Sequence, residues 1–207
     1  NALITGIVDE SSVSPTPAGL VRVGVAWRRA RVSAVDPVQR RVRDDAGAWH
    51  SADRLILAPG IDLRWDRIEG LDAANSELMP HGWLGDASIL ALRRRFAALR
   101  DGATVLIGAP PNPYRCPPGP YERASLFAWA LAGRRARILI ADAKDDFSKR
   151  ALFRAAWDDR HPGVVEWLPR AQGGEVVGVD TRAGEVRLAS GERLRPDLAS
   201  IIPAQQA

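Results

Sequence analysis

Cysteine is almost missing from this sequence: 207 residues contain one, Cys116. A single cysteine closes no intramolecular disulfide, so no disulfide framework exists within the chain. Histidine is nearly as scarce. His50, His81 and His161 stand far apart with neither i,i+4 companions nor Cys-x-x-Cys pairs, which speaks against a metal site. No apolar run approaches the roughly 20 residues that a spanning helix needs, so no transmembrane segment is expected. Leu3 to Val8 is too short for a signal peptide and lacks a basic flank. A dominant charge is also lacking, because 29 Lys and Arg face 25 Asp and Glu. The arginine clusters WRRARV, QRRVR, LRRRF and GRRARI are dispersed, flanking expected strands and helices. They form no single stripe and keep no company with a zinc-finger, RNP or basic-helix pattern, so nucleic acid is not an expected partner.

What is present is the composition of a folded protein. Hydrophobic residues make up 46% and charged residues 26%, enough for one large or two small packed domains. Asn1-Ala2 is set aside as a remnant of tag removal. From residue 20 to 57 the stretches LVRVGVAW, ARVSAVD, RRVRDD, AWHSA and DRLILAPG read as short β elements, broken at DPVQR and DDAG. DRLILAPG is expected to be the most buried of them. Its end in small residues and glycine suits the close approach of a ligand or another backbone.

After a loop, Asp86 to Leu99 carries Ile89, Leu90, Leu92, Phe96 and Leu99 at roughly helical spacing. DGATVLIGAP follows as a turn and an apolar strand. YERASLFAWALAG reads as a helix with Pro120 in its first turn and Gly133 past its end. ARILIADA is a strand, DDFSKRALFRAAWDDRHPG a helix and VVEWLP a strand, and the tail reads as hairpin elements. The alternation over 103–170 predicts an α/β fold with a Rossmann-like parallel sheet and short β elements on both sides.

The first strand of such a sheet ordinarily leads into a glycine-rich loop whose N–H groups hold a pyrophosphate. Here that segment is GAPPNPYRCPPGPYER. It has six prolines from Pro110 to Pro120, none with an N–H to donate, so NAD(P) is not an expected cofactor. Asp142 ends the second strand where a ribose-binding acid would stand; without a phosphate cradle it reads as structural. The loop offers a sulfur instead. Arg115 adjoins Cys116, a helix begins just beyond, and the prolines reduce the entropy lost in holding the thiol. Glu122, one turn into that helix, is placed to take or relay a proton. The plainer alternatives are a core cysteine and an ordinary Pro-Pro-Gly-Pro turn.

RCPPGPYERAS, with DRLILAPGID, MPHGW, DDFSK, EWLPRAQGGEV and IIPAQQA, closely resembles the flavoprotein subunit of flavocytochrome c sulfide dehydrogenase, of the FAD-dependent pyridine nucleotide-disulfide oxidoreductase superfamily. The match runs from about residue 20 to the end, with several motifs in order. The resemblance implies a periplasmic enzyme that oxidises sulfide and passes electrons through FAD to a c-type cytochrome subunit. It implies that Cys116 pairs with a second, distant cysteine in a redox disulfide. It implies also that Glu122 is a nearby acid and that Ala58, Pro59 and Gly60 approach FAD. An N-terminal FAD pyrophosphate motif, a cysteine for covalent flavin attachment, the second redox cysteine and a C-terminal domain are absent from the sequence. The expectation is therefore a middle fragment, inactive alone and not retaining FAD. It has a partial FAD-domain β segment and crossover loop at 3–76, a Rossmann-like middle domain at 77–202, and the start of a crossover back at 203–207. A sulfide:quinone oxidoreductase-like flavoprotein and a non-catalytic degenerate Rossmann interaction module are the alternative readings.

Overall fold

The computed structural model describes residues 1–13 and 18–206. Residues 14–17 of the expected 3–76 segment, and Ala207 at the end of the expected 203–207 crossover, lie outside the described residues. The chain divides into two compact units, Ser11–Gly60 and Asn1–Glu10 with Ile61–Ala207. Helix α1 (Ala2–Thr5), with Leu3 and Ile4 buried, opens the larger unit.

The smaller unit has two short helices, α2 (Glu10–Val13, entering from the larger unit) and α3 (Ala18–Arg22). An antiparallel meander follows: β1 (Val32–Asp36), β2 (Arg41–Asp44) and β3 (Trp49–Ser51). Its turns are closed by carboxylates. Asp36 accepts from Gln39 N–H and Arg41, and Asp44 accepts from Ala48 N–H and pairs with His50 Nε2 at 2.8 Å. Two expectations for this part fail. LVRVGVAW holds no strand: α3 takes its first residues, and 23–31 follow as a turn and irregular backbone. DRLILAPG is neither a strand nor buried, with Ile56 89% and Leu57 56% exposed. Local β propensity makes a strand only where a neighbouring backbone completes the ladder, and among the described residues no strand pairs with 53–60.

The larger unit continues with β4 (Asp62–Arg64), α4 (Ala87–Ala97), β5 (Thr104–Ala109), α5 (Gly119–Ala130), β6 (Arg137–Asp142), α6 (Arg150–Arg160) and β7 (Val165–Leu168). Next come β8 (Val176–Asp180), β9 (Glu185–Leu188), β10 (Arg193–Leu194), β11 (Leu198–Ile201) and β12 (Ala204–Gln206). The α/β expectation holds: β11, β5, β6 and β7, in that order, form a parallel sheet. The strand β11 was not separable from the hairpins by pattern. Asp197 pins its start to β5 by accepting from Thr104 N–H at 2.7 Å and Thr104 Oγ at 3.0 Å.

Alternate side chains of these strands feed two cores, as the pleat requires. Val105, Ile107, Ile138, Ile140 and Leu198 face the helices, together with Leu92 and Phe96 of α4 and Tyr121, Ala124, Phe127 and Ala128 of α5. Leu106, Ala141, Ala199 and Ile201 pack with Val186 and Leu188 of the antiparallel β8–β9–β10 sheet on the opposite face. A strand buried on both faces reads as a continuous apolar run, which is why TVLIGA and RILIAD were recognisable. Two further strands, β4 and β12, pair antiparallel with Gln205 opposite Leu63. Among the described residues no helix is long and apolar enough to cross a membrane.

Candidate functional site

The loop from β5 to α5 presents Cys116 to solvent, so the sulfur is not a core residue. Its backbone has φ +58°, the left-handed region that side chains other than glycine and asparagine seldom occupy. The Cys116 carbonyl accepts from Gly119 N–H at 2.8 Å, closing a turn over Pro117-Pro118. Gly119 then begins α5, with Pro120 in its first turn. No other residue fits at 119. A Cβ there would stand 2.6 Å from the Trp83 ring and 3.3 Å from the Cys116 sulfur. The sulfur and the edge of that indole thus both crowd the first residue of the helix. Glu122 is exposed in the first turn of α5, where the helix dipole favours a carboxylate. Ala58, Pro59 and Gly60 lie exposed in the smaller unit; Gly60 has φ +81° and open space where a side chain would be.

Arg115 and residues to which the sequence reading gave no part in it hold the loop. The Arg115 N–H donates to Gln205 Oε1 of β12 at 2.8 Å, and its Nη2 donates to the Trp83 carbonyl at 2.5 Å. The cation beside the cysteine is therefore spent on a backbone oxygen. Arg123, 1% exposed, reaches from α5 under the Trp83 ring. It donates to the carbonyls of His81 and Gly82 and to Ser200 Oγ, each at 2.7 Å, and to Asn1 Oδ1 at 3.0 Å. Burial lowers its pKa to about 10, so it keeps its charge at neutral pH. Asn1, set aside above, is thus joined to α5, and its Nδ2 also donates to Gly119 O. The one signal for Trp83 and Gln205 in the sequence was their membership of MPHGW and IIPAQQA. Folding gathers those two motifs around RCPPGPYER.

Tyr114 braces the other flank. Its hydroxyl donates to Pro117 O at 2.6 Å, and its ring lies 4.8 Å from Lys144 Nζ. Lys144 Nζ donates to Pro110 O and to Asp142 Oδ1. Asp142 is wholly buried, and its oxygens accept from four donors: Lys144 Nζ and N–H on one, Tyr121 OH and Trp167 Nε1 on the other. A carboxylate has about four acceptor sites, so none remains for a ribose. Burial pushes the Tyr114 hydroxyl up to about 12 and the Lys144 ammonium below its ordinary value, the latter opposed by Asp142.

His81 connects the Trp83 turn to pH. Its Nδ1 accepts from Trp83 N–H at 3.0 Å, so the neutral ring carries its proton on Nε2, 3.7 Å from Asp86. Burial lowers its pKa; Asp86 opposes that, and Arg123 adds to it. The unfolded chain therefore binds the extra proton first, and stability falls as pH drops below the ordinary histidine value of 6.5. Urea melts between about pH 7.5 and about pH 5 are expected to show this loss in the native protein, and a smaller one in His81→Asn, whose side-chain oxygen still accepts from Trp83 N–H.

A family model described as the central part of the sulfide dehydrogenase [flavocytochrome c] flavoprotein chain matches residues 89–203. The chain belongs to this family. Its fold is shared with the sulfide:quinone oxidoreductase of Aquifex aeolicus (18% identity, TM-score 0.69, covering 99% of this chain and 49% of that one). The ferredoxin reductase for the CYP199A2 system of Rhodopseudomonas palustris is also similar (18%, TM-score 0.61, 96% and 46%). So is reduced CoADR-RHD of Bacillus anthracis (13%, TM-score 0.64, 99% and 36%). The chain spans about half the length of the first two and little over a third of the last. The family model covers the whole β5–α5 loop and ends before β12.

Proposed function

We propose that the chain is the central portion of an FAD-dependent sulfide dehydrogenase in which Cys116 is the redox sulfur. The observation that carries this reading is the exposed sulfur itself, held in left-handed backbone on a proline-bounded loop inside the family-matched segment. Hydrosulfide would attack one sulfur of a disulfide between Cys116 and a second cysteine outside this chain; the S–S bond breaks and one cysteine leaves as thiolate. Glu122 is proposed to receive the proton that hydrosulfide gives up. FAD, when bound, supplies a two-electron acceptor able to pass electrons on singly.

Two orphaned donors fit such a group. Trp83 Nε1 and Gln205 Nε2 are enclosed and have no partner among the described residues. They belong to the two residues that hold Arg115, and they suit the carbonyl and ring-nitrogen acceptors of a flavin. Ala58, Pro59 and Gly60 are proposed, from the family resemblance, to approach FAD. We assign 3–76 and 203–207 to the FAD-domain side and 77–202 to the middle domain, a division supported by the pairing of β4 with β12. NAD(P) is not proposed as a ligand, since Asp142 has no free acceptor. A c-type cytochrome partner and a periplasmic location follow the family's character, and the chain alone is proposed neither to retain FAD nor to turn over sulfide.

The test uses the complete protein: a visible spectrum before and after anaerobic sulfide, with a Cys116→Ser variant beside it. A flavin band that bleaches in the parent and not in the variant is the expected result. Equal bleaching in both, or no flavin, overturns the role of Cys116. Cytochrome c and a quinone offered as alternative acceptors separate the two branches of sulfide oxidation.

A further inference from the structure

The prolines alone do not explain where the Cys116 sulfur sits. Proline restricts its own φ and biases the residue before it toward extended backbone, whereas Cys116, immediately before Pro117, stands at φ +58°. Two local bonds flank it, from Gly119 N–H to Cys116 O and from Tyr114 OH to Pro117 O, and anchors outside the loop act beside them. The residue before the cysteine makes two long-range bonds: Arg115 N–H to Gln205 Oε1, across 90 positions, and Arg115 Nη2 to Trp83 O, across 32. Gln205 is fixed in turn by β12 pairing with β4, and Trp83 by Gly119 beneath its ring and Arg123 across its face.

We propose that Gln205 and Arg115 are positioning residues for the Cys116 sulfur, forming a latch that ties the cysteine loop to β12 and to the 80–83 turn. With the latch closed, Cys116 is kept in the left-handed region and its sulfur rests over Gly119 beside the Trp83 ring. With it open, the backbone at 116 relaxes to negative φ and the sulfur leaves that surface. While its oxygen holds Arg115, the same glutamine keeps a buried Nε2 that has no partner among the described residues. The functional weight of the latch rests on reading Cys116 as the redox sulfur, but its geometry does not.

The experiment uses the 207-residue chain, where one cysteine makes the chemistry unambiguous. The probe is a nitroaryl disulfide, and the rate of mixed-disulfide formation with Cys116 is followed by release of the nitroaryl thiolate. Gln205→Met fills the same space without an acceptor, and Gln205→Glu keeps the acceptor. Losing one such hydrogen bond shifts a local opening equilibrium by about fivefold; because Cys116 is exposed with the latch closed as well, Gln205→Met is expected to react faster by at most that factor, and Gln205→Glu at the native rate. Arg115→Ala, which removes the other bond, is expected to accelerate the reaction similarly. The second measurement reads strain. Cys116→Gly should raise the folded-to-unfolded ratio about fivefold in the native background and by a smaller factor with Gln205→Met, where less holds the strained backbone in place. A native rate in Gln205→Met, failure of Gln205→Glu to restore it, or an equal gain from Cys116→Gly in both backgrounds overturns the latch. None of these readings involves sulfide or flavin. A latch that holds while the complete protein fails to bleach removes the functional reading alone.

Discussion

Arg123→Met is expected to cost the protein about 3–5 kcal/mol, much of the 5–15 kcal/mol that a domain of this kind possesses. Arg123 is an unusual buried charge, because its four hydrogen-bond acceptors include no carboxylate. The four acceptors belong to three separate parts of the chain: the 81–82 turn, β11 and Asn1. Methionine fills the volume and keeps the contact with Trp83, so lost packing contributes little. The cost arises because the His81 and Gly82 carbonyls stay buried without the donors they faced, at about 1–3 kcal/mol each. Lysine would not rescue the site, since one ammonium cannot reproduce a planar fork aimed at separate acceptors. Urea unfolding of Arg123→Met and Arg123→Lys checks this: both midpoints should fall far below the native value with little change in slope. A stability within about 1 kcal/mol of native would mean that the turn finds its donors elsewhere.

The second large effect is expected at Asp142. Asp142→Ala leaves the Lys144 ammonium buried with Pro110 O and aromatic faces, and strips Tyr121 OH and Trp167 Nε1 of their acceptor. Removing one partner of a buried pair costs about 3–5 kcal/mol, whereas replacing both by apolar groups is often neutral. Asp142→Ala with Lys144→Met is therefore expected to be more stable than Asp142→Ala alone. The pH dependence separates this explanation from simple cavity formation. Without Asp142 nothing opposes the burial that already depresses the Lys144 pKa. The unfolded state then binds the proton that the folded state sheds, so the single variant should regain stability as pH rises toward the ordinary lysine value of 10.5. The double variant should lack that rise. A cavity alone would cost the same at every pH.

Both residues sit in stretches that the sequence made visible. Asp142 ends an apolar strand with no phosphate cradle before it, and its structural reading holds, with four donors on its oxygens. Arg123, the last letter of PYER, had no role in that reading; burial and partners gave it one. Trp83 and Gln205 are 122 positions apart in sequence and share only Arg115. No local pattern encodes that meeting.

Taken alone, the sequence determined the parallel sheet and its helices, because strands buried on both faces read as TVLIGA and RILIAD, and amphipathic helices declare their period. It also determined the cysteine loop: a single thiol among prolines ahead of a helix is local information. Its errors fell where structure depends on distant partners. Residues 53–60 have strand composition and, among the described residues, no strand beside them, and Leu198–Ile201 joined β5 across more than ninety positions instead of extending a hairpin. Only the tertiary structure decided that Arg115 spends its charge on Trp83, that Arg123 is buried, that Asp142 is saturated, and that Cys116 stands in a strained, exposed conformation. The reason is physical. Periodicity and propensity act between near neighbours, whereas hydrogen-bond satisfaction in a buried site is settled by whichever groups the fold brings within about 3 Å.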